Sequence, residues 1–194
     1  MRYRILMIPA LALLSACGEP SDRSDRDKDT TIVKTEATTV EPTKAEVAAD
    51  HLIVPGKSIG QTRLDEDMDQ VIARLGKPDG GDAAMGKSTS VWYTGHDTAK
   101  ASTTIFASRQ MGTADERARV KQIRVTSPWF KTADGIMTGA DKAAIEKIYP
   151  HLEKAESPIA KDEVYADKAA GIAFEFDGQD KCSAIIVMLP EGKN

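Results

Sequence analysis

Residues 81–88 read GDAAMGKS, a literal G-x-x-x-x-G-K-S. In that pattern backbone N–H groups and a lysine surround the phosphates of a nucleotide. A working loop of this kind follows a buried parallel strand and opens a helix, so that helix N–H groups face the anion. Here the pattern follows a helical stripe and a KPDGG turn, and it runs into STSVWYT, which reads as a strand. The order is inverted, and no downstream apolar strand ends in a magnesium-holding Asp. The expectation is a mobile helix-to-strand loop around Gly80, Gly81 and Gly86, and no nucleotide partner.

Other reactive side chains are dispersed. His51, His96 and His151 fall at a tether edge, in a hairpin loop and at a helix end, with no H-E-x-x-H frame. Surface histidine is the default, and no metal is expected. Ser88, Ser90 and Ser102 lack the G-x-S-x-G elbow of a serine hydrolase. Asp65, Glu66, Asp67 and Asp69 have calcium-like chemistry, but the loop glycine and terminal glutamate of an EF-hand are missing. They suit the first turn of a helix, whose dipole favours negative charge. Of the two cysteines, Cys182 begins an apolar strand; it is either a buried small hydrophobe or a free thiol able to form mixed disulfides. No catalytic set emerges, so the expectation is a non-enzyme without cofactor.

The other cysteine, Cys17, has a specific context. Arg2 and Arg4 form a cationic start, and Ile5 to Leu14 is a short apolar run interrupted by Pro9. A bilayer-spanning helix needs about 20 apolar residues, so this run is a signal, not a span. The next residues, Leu14-Ser15-Ala16-Cys17, resemble the lipobox of bacterial lipoproteins. That resemblance implies a signal peptide over residues 1–16, cleavage before Cys17, and acylation (palmitate among the chains) of its sulfur and new amino group. Each buried CH₂ contributes about 0.8 kcal/mol, and stable anchoring takes at least two chains. By analogy with enteric sorting, Gly18 after the cysteine favours the outer membrane, with the chain facing a periplasm that lacks ATP.

Length and composition bound the rest. The chain has 194 residues, 41% hydrophobic and 29% charged, with 26 Lys+Arg against 30 Asp+Glu and a net charge of −4. It carries no electrostatic footprint for nucleic acid and no polybasic membrane patch. Residues 17–50 are rich in Asp, Thr, Ser and Lys and hold no aromatic residue. They cannot bury enough surface to offset the entropy of ordering, and read as a disordered tether. Its random-coil span is roughly 30 Å. The alternative is an isolated β segment over Thr30 to Val40.

The folded part begins near residue 51. Leu64, Met68, Val71, Ile72 and Leu75 form one helical stripe, closed by Gly76 and Pro78. Strands follow in SVWYT, STTIFAS and VKQIRVT, the last two separated by an exposed hairpin loop, RQMGTADERAR. A second helix, TGADKAAIEKIYPHLEK, has Asp141 as N-cap, and at an offset of about 74 residues Asp67 faces Asp141 and Val71 faces Ile145. Strands EVYAD, GIAFEF and CSAIIVML come next, with DGQD as a tight turn whose Asp177-Gly178 suits positive φ.

The LGKP, VWYT, TTIFAS and RVKQIRV segments resemble the BamE (SmpA/OmlA) type of small outer-membrane lipoprotein. The tandem order is similar to that of the β-lactamase-inhibitor-protein-like (BLIP-like) fold. The resemblance implies an α+β architecture of two tandem helix-plus-antiparallel-meander units, at residues 51–127 and 128–194.

Four aromatic residues are candidates for partner contact. Trp92 and Tyr93 must alternate across their strand, so one faces the core and the other a partner. Trp129 and Phe130 either fill the core between the units, which is favoured, or anchor a partner on a sheet face. The leading functional expectation is a lipid-anchored outer-membrane protein that binds a protein or envelope component through a sheet face. The alternatives are an inhibitor or small-ligand carrier of the periplasm, and a periplasmic enzyme of unrecognised type. Mass spectrometry of the membrane-extracted chain is expected to find an acylated N-terminal Cys17, and Cys17→Ser to move the chain to the soluble fraction. An unmodified Cys17 thiol there would remove the anchor.

Overall fold

The computed structural model describes residues 47–192. Cys17 and nearly all of the expected tether therefore lie outside the described residues. The first elements are three short strands, β1 (Leu52–Val54), β2 (Ser58–Ile59) and β3 (Thr62–Arg63). They precede a helix, α1 (Met68–Leu75). The helical stripe extends back to Leu64 in sequence, but the helix starts later because Asp65 takes φ 62°. The Asp67 side chain caps the first turn by accepting the Asp69 N–H at 3.0 Å. Glu66 turns outward instead to a bidentate pair with Arg74 (2.6 and 3.1 Å). At the other end the Gly76 N–H closes on the Ile72 carbonyl at 2.8 Å.

Strands β4 (Gly80–Ala84), β5 (Lys87–Tyr93), β6 (Ser102–Ser108) and β7 (Arg119–Val125) follow as a meander. The mobile loop expected over Gly80–Gly86 is instead β4 and its turn, in register with β5 from Gly80↔Val91 to Ala84↔Lys87. The G-x-x-x-x-G-K-S segment is thus an antiparallel hairpin and opens no helix. After β8 (Lys131–Thr132) come α2 (Lys142–Ile148), β9 (Glu153–Ala155), β10 (Glu163–Asp167), β11 (Ile172–Phe176) and β12 (Cys182–Met188). Asp141 holds the N-cap position of α2 without a capping side-chain bond; its carboxylate pairs with Lys181 at 2.6 Å. In the DGQD turn the left-handed residue is Asp180, at φ 56°, and not Gly178.

The expected α+β arrangement of two tandem helix-and-meander units is not what forms. The described residues are mostly β, with twelve strands and only two short helices. Eight strands make one antiparallel sheet in the order β4-β5-β6-β7-β12-β11-β10-β9. The cause lies in β7 and β12. Both are rich in Val and Ile, and β12 is buried on both faces. Neither can stand as a solvent-facing edge, so they pair with each other from Ile185↔Val125 to Met188↔Gln122. A second, four-stranded sheet, β3-β2-β1-β8, was absent from the sequence reading; its β1–β8 pairing is parallel.

One face of the large sheet carries the main core. Ile105, Ile123, Val125, Phe174, Ile185 and Val187 pack there in one cluster with Met68 and Val71 of α1 and Ile145 of α2. The β1–β2 turn docks on the β10–β11 turn through Gly56 N–H to Gly171 O at 3.0 Å. A Cβ on Gly171 would stand 2.7 Å from Gly56 Cα and 2.5 Å from the Met188 carbonyl oxygen, so only glycine permits this approach.

The opposite face holds a buried ion pair. Arg124 on β7 and Glu175 on β11 are 3% and 0% exposed. They bond at 2.5 Å (Nε–Oε1) and 2.8 Å (Nη2–Oε2). The Lys161 N–H adds a third bond to Glu175 Oε2 at 3.2 Å. Removing one member of such a pair strands a buried charge, so Glu175→Ala is expected to cost about 3–5 kcal/mol in chemical denaturation. The double change Arg124→Met, Glu175→Leu is expected to cost far less than Glu175→Ala, giving a large coupling energy in the mutant cycle. A Glu175→Ala cost below about 1 kcal/mol would show the charges to be solvated after all.

Candidate functional site

The strand alternation that separates Trp92 from Tyr93 defines two surfaces. Trp92 points into the main core, 8% exposed, and its indole Nε1 donates to the Gly76 carbonyl at 3.0 Å. It fastens the end of α1 to the sheet and is closed to a partner. Tyr93 lies on the other face, half-buried, in register with Ser102. Its backbone is fixed by Asp79, whose Oδ2 accepts the Tyr93 N–H at 2.7 Å while Oδ1 meets His96 Nδ1 at 2.6 Å. The Tyr93 N–H and then His96 hold the Asp79 carboxyl below its ordinary range.

Trp129 and Phe130 are likewise divided. Phe130 packs against the main core, as favoured from sequence. Trp129 departs from that expectation: it is 62% exposed and rests edge-on against the His51 ring, with centroids 4.1 Å apart. Residues 127–130, SPWF, lie in the irregular connection between β7 and β8, where no strand period decides which side chain turns inward. Trp92 and Phe130 thus belong to the core, and Tyr93 and Trp129 remain open.

The second sheet face is covered unevenly. Over β9–β12 the segment 156–162 crosses it. Ile159 packs there with Val164, Ala166, Ala173 and Ile186, and Ser157 Oγ donates to Gln122 Oε1 at 2.6 Å. Over β5 the same face carries Thr89, Val91 and Tyr93, which are half-buried rather than buried; beside them on β6 Ser102 and Thr104 are buried and Phe106 packs against the Ile159 cluster. Thr89, Val91 and Phe106 were not singled out from the sequence, although the period-two alternation in KSTSVWY and STTIFAS places them on Tyr93's side. At the border between the covered and open parts, Arg124 Nη1 is buried and has no hydrogen-bond partner among the described residues.

The titratable groups do not converge. His51 is 3.4 Å from Asp50, His96 pairs with Asp79, and His151 is exposed. No group of three or more His, Cys, Asp or Glu among the described residues is placed to hold a metal. The acidic run is dispersed onto partners: Asp65 to Lys121 at 2.9 Å, Glu66 to Arg74, Asp67 to the helix cap. Asp115 is held far below the usual carboxylate range by Arg117 first and Arg119 second. Cavities of about 650 and 450 Å³ are lined by these charged loops, with Asp65, Asp115, Arg119 and Lys121 in the larger. An apolar cavity between helix and sheet, which a small-ligand carrier would use, has a different lining.

No helix of the described residues is long and apolar enough to cross a membrane. No protein-family model matches the sequence, and no curated protein matches it. A solved structure of an extracellular protein containing an SCP domain, from Bacillus anthracis str. Ames, is similar over 65% of this chain and 44% of its own, with 14% identity and a TM-score of 0.40. This chain therefore spans less than half of that one, and a likeness of this size carries neither fold nor function.

Of the two sequence readings of Cys182, the structure favours the buried one. Its Sγ donates to the Ala184 carbonyl at 3.4 Å, and burial pushes the thiol up to about 12. The buried thiol is therefore held in its protonated, unreactive form. A thiol reagent is expected to label Cys182 in denaturant and, in the native chain, at least about a hundredfold more slowly. Equal rates would return the free, exposed thiol to consideration.

Proposed function

We propose that the chain is a lipid-anchored, non-enzymatic binding protein on the periplasmic face of the outer membrane, and that it holds a protein or envelope component against the open part of its large sheet. One observation carries the reading: Ile159 and its neighbours cover the second sheet face over β10–β12 and reach Phe106 on β6, while Thr89, Val91 and Tyr93 along β5 are only half-buried. A sheet face that is apolar and uncovered offers the partly desolvated, rigid surface on which binding anchors work. Tyr93 is the strongest candidate, because an aromatic ring supplies contact area at little entropic cost and a hydroxyl for hydrogen bonding. Its strand end is held by Asp79 and His96, so the ring is presented from a fixed backbone. Trp129 supplies a second open aromatic surface.

The anchor complements this surface. A lipid on Cys17 and a slack tether would confine the domain near one leaflet, raising its effective concentration toward envelope partners. Photo-cross-linking residues placed at Val91, Tyr93 and Phe106 in intact envelopes are expected to give one discrete adduct. The same group at exposed Glu146 on α2 is expected to give none. Adducts equal in yield at all four positions, or none at the three sheet positions, would overturn the assignment of this face.

A further inference from the structure

The cover over β10–β12 is one loop folded back on the sheet. Strands β9 and β10 pair from Val164↔Ala155 to Ala166↔Glu153, so residues 156–162 leave and rejoin the sheet at adjacent strands. Between those ends the loop crosses the second face on few holds. One apolar side chain, Ile159, enters the cluster of Val164, Ala166, Ala173 and Ile186. Ser157 Oγ meets Gln122 on β7, the Lys161 N–H meets Glu175 on β11, and Ser183 Oγ donates to the Asp162 carboxylate at 3.0 Å. Among the described residues no backbone–backbone hydrogen bond ties the loop to the sheet; the Ala160 N–H turns to the Ser157 carbonyl within the loop itself. A cavity of about 340 Å³, with Ala155, Glu156, Ala166 and Met188 in its lining, undercuts the loop's first end. At the border of the cover lies Arg124 Nη1, the one buried side-chain nitrogen or oxygen without a hydrogen-bond partner among the described residues. The closed loop thus helps to shut a charged donor away from water while giving it no acceptor.

We propose that residues 156–162 form a strap that opens as a unit over an intact sheet, and that opening extends the Tyr93 surface across Phe106 toward β12. Segments open locally where few apolar contacts and few backbone bonds hold them. Opening gives up the burial of one isoleucine and a few polar contacts; it returns conformational freedom to the loop and water to Arg124 Nη1. Phe106 stands opposite Thr89 of β5 and packs against the strap's own cluster, so it joins the open surface to the covered one. In the closed state the strap occupies apolar area that a partner seated on β5 would otherwise reach, and the contact is autoinhibitory. The autoinhibition rests on the proposed function; the opening does not.

Opening is read with the soluble Cys17→Ser chain carrying Ala173→Cys, at a fully buried position in the Ile159 cluster. Native Cys182, in the main core, reports deeper unfolding in the same molecule. A thiol reagent is expected to label the introduced thiol at least about a hundredfold faster than Cys182, at a rate nearly independent of low denaturant. Ile159→Ser should speed that labelling at least about tenfold. Ala166→Cys, in the same cluster on β10, repeats the measurement should Ala173→Cys misfold. In intact envelopes, Ile159→Ser in the acylated chain should raise the yield of the Tyr93 photo-adduct at least about threefold. Equal labelling of the introduced thiol and Cys182, or the same steep denaturant dependence for both, overturns the opening. An unchanged or lower adduct yield alongside fast labelling overturns the autoinhibition. The labelling needs no partner, so its failure is distinct from failure of the Tyr93 face, which would show as no Tyr93 adduct in the parent chain.

Discussion

The pairing of β7 with β12 is the constraint on which the rest of the structure depends. Four residue pairs, from Ile185↔Val125 to Met188↔Gln122, turn two meanders into one sheet. The Arg124–Glu175 pair reinforces that choice by reaching across β12 from β7 to β11. A buried ion pair adds little net stability, because desolvation cancels most of the attraction. Its effect on register is larger. Shifting β7 by one residue would move Arg124 to the face now filled by Ile123 and Val125, and would leave both charges buried without partners. The pair therefore excludes the wrong alignments more than it strengthens the right one.

Local elements were legible because their causes are local. The stripe from Leu64 to Leu75 and its closing Gly76 lie within a few turns of one another, and the helix forms over the later part of that stripe, from Met68 on, with Asp67 before it as the cap. The alternation in SVWYT placed Trp92 and Tyr93 on opposite faces without saying which was inward. That choice depends on the Gly76 carbonyl, 16 residues away, which takes the Trp92 indole N–H. The union of the two halves was illegible for the same kind of reason. The period of a strand reports which faces are apolar and says nothing of which strand lies alongside. The burial of β12 on both faces was the available clue, since a continuous apolar run belongs to the middle of a sheet. The small sheet was missed because strands of two or three residues have no measurable period.

The candidate site follows from an asymmetry in cover. Both ends of the large sheet have their first face filled by a helix and core side chains, yet only β10–β12 have their second face sealed, by the segment 156–162. That segment is irregular, and it docks through Ser157 to Gln122 and through the Lys161 N–H to Glu175. Its docking points are the buried polar groups of the central strands, so the ion pair also fixes where the cover ends. Phe106 lies at the rim of that cover, and beyond it Thr89, Val91 and Tyr93 on β5 are only half-buried. The extent of the open surface is thus a consequence of where the central charges sit.

The backbone supplies a separate argument about function. Among the described residues, four other than glycine hold positive φ: Asp65, Met85, His96 and Asp180. Each departs from the ordinary preference of L-residues by about 1–2 kcal/mol. Three of them offset that cost inside the fold. Asp65 donates its N–H to the Val120 carbonyl at 2.7 Å and binds Lys121. His96 binds Asp79, and Asp180 accepts the Lys142 N–H that opens α2 at 3.0 Å. These are also residue types that tolerate the left-handed region. Met85 differs in both respects, being a long apolar side chain that is almost wholly exposed and packs against nothing that would hold it there. Asn-Gly would close the same hairpin more comfortably. Here a local rule is broken and the fold supplies no compensating contact, the pattern expected of a position kept for a reason other than stability.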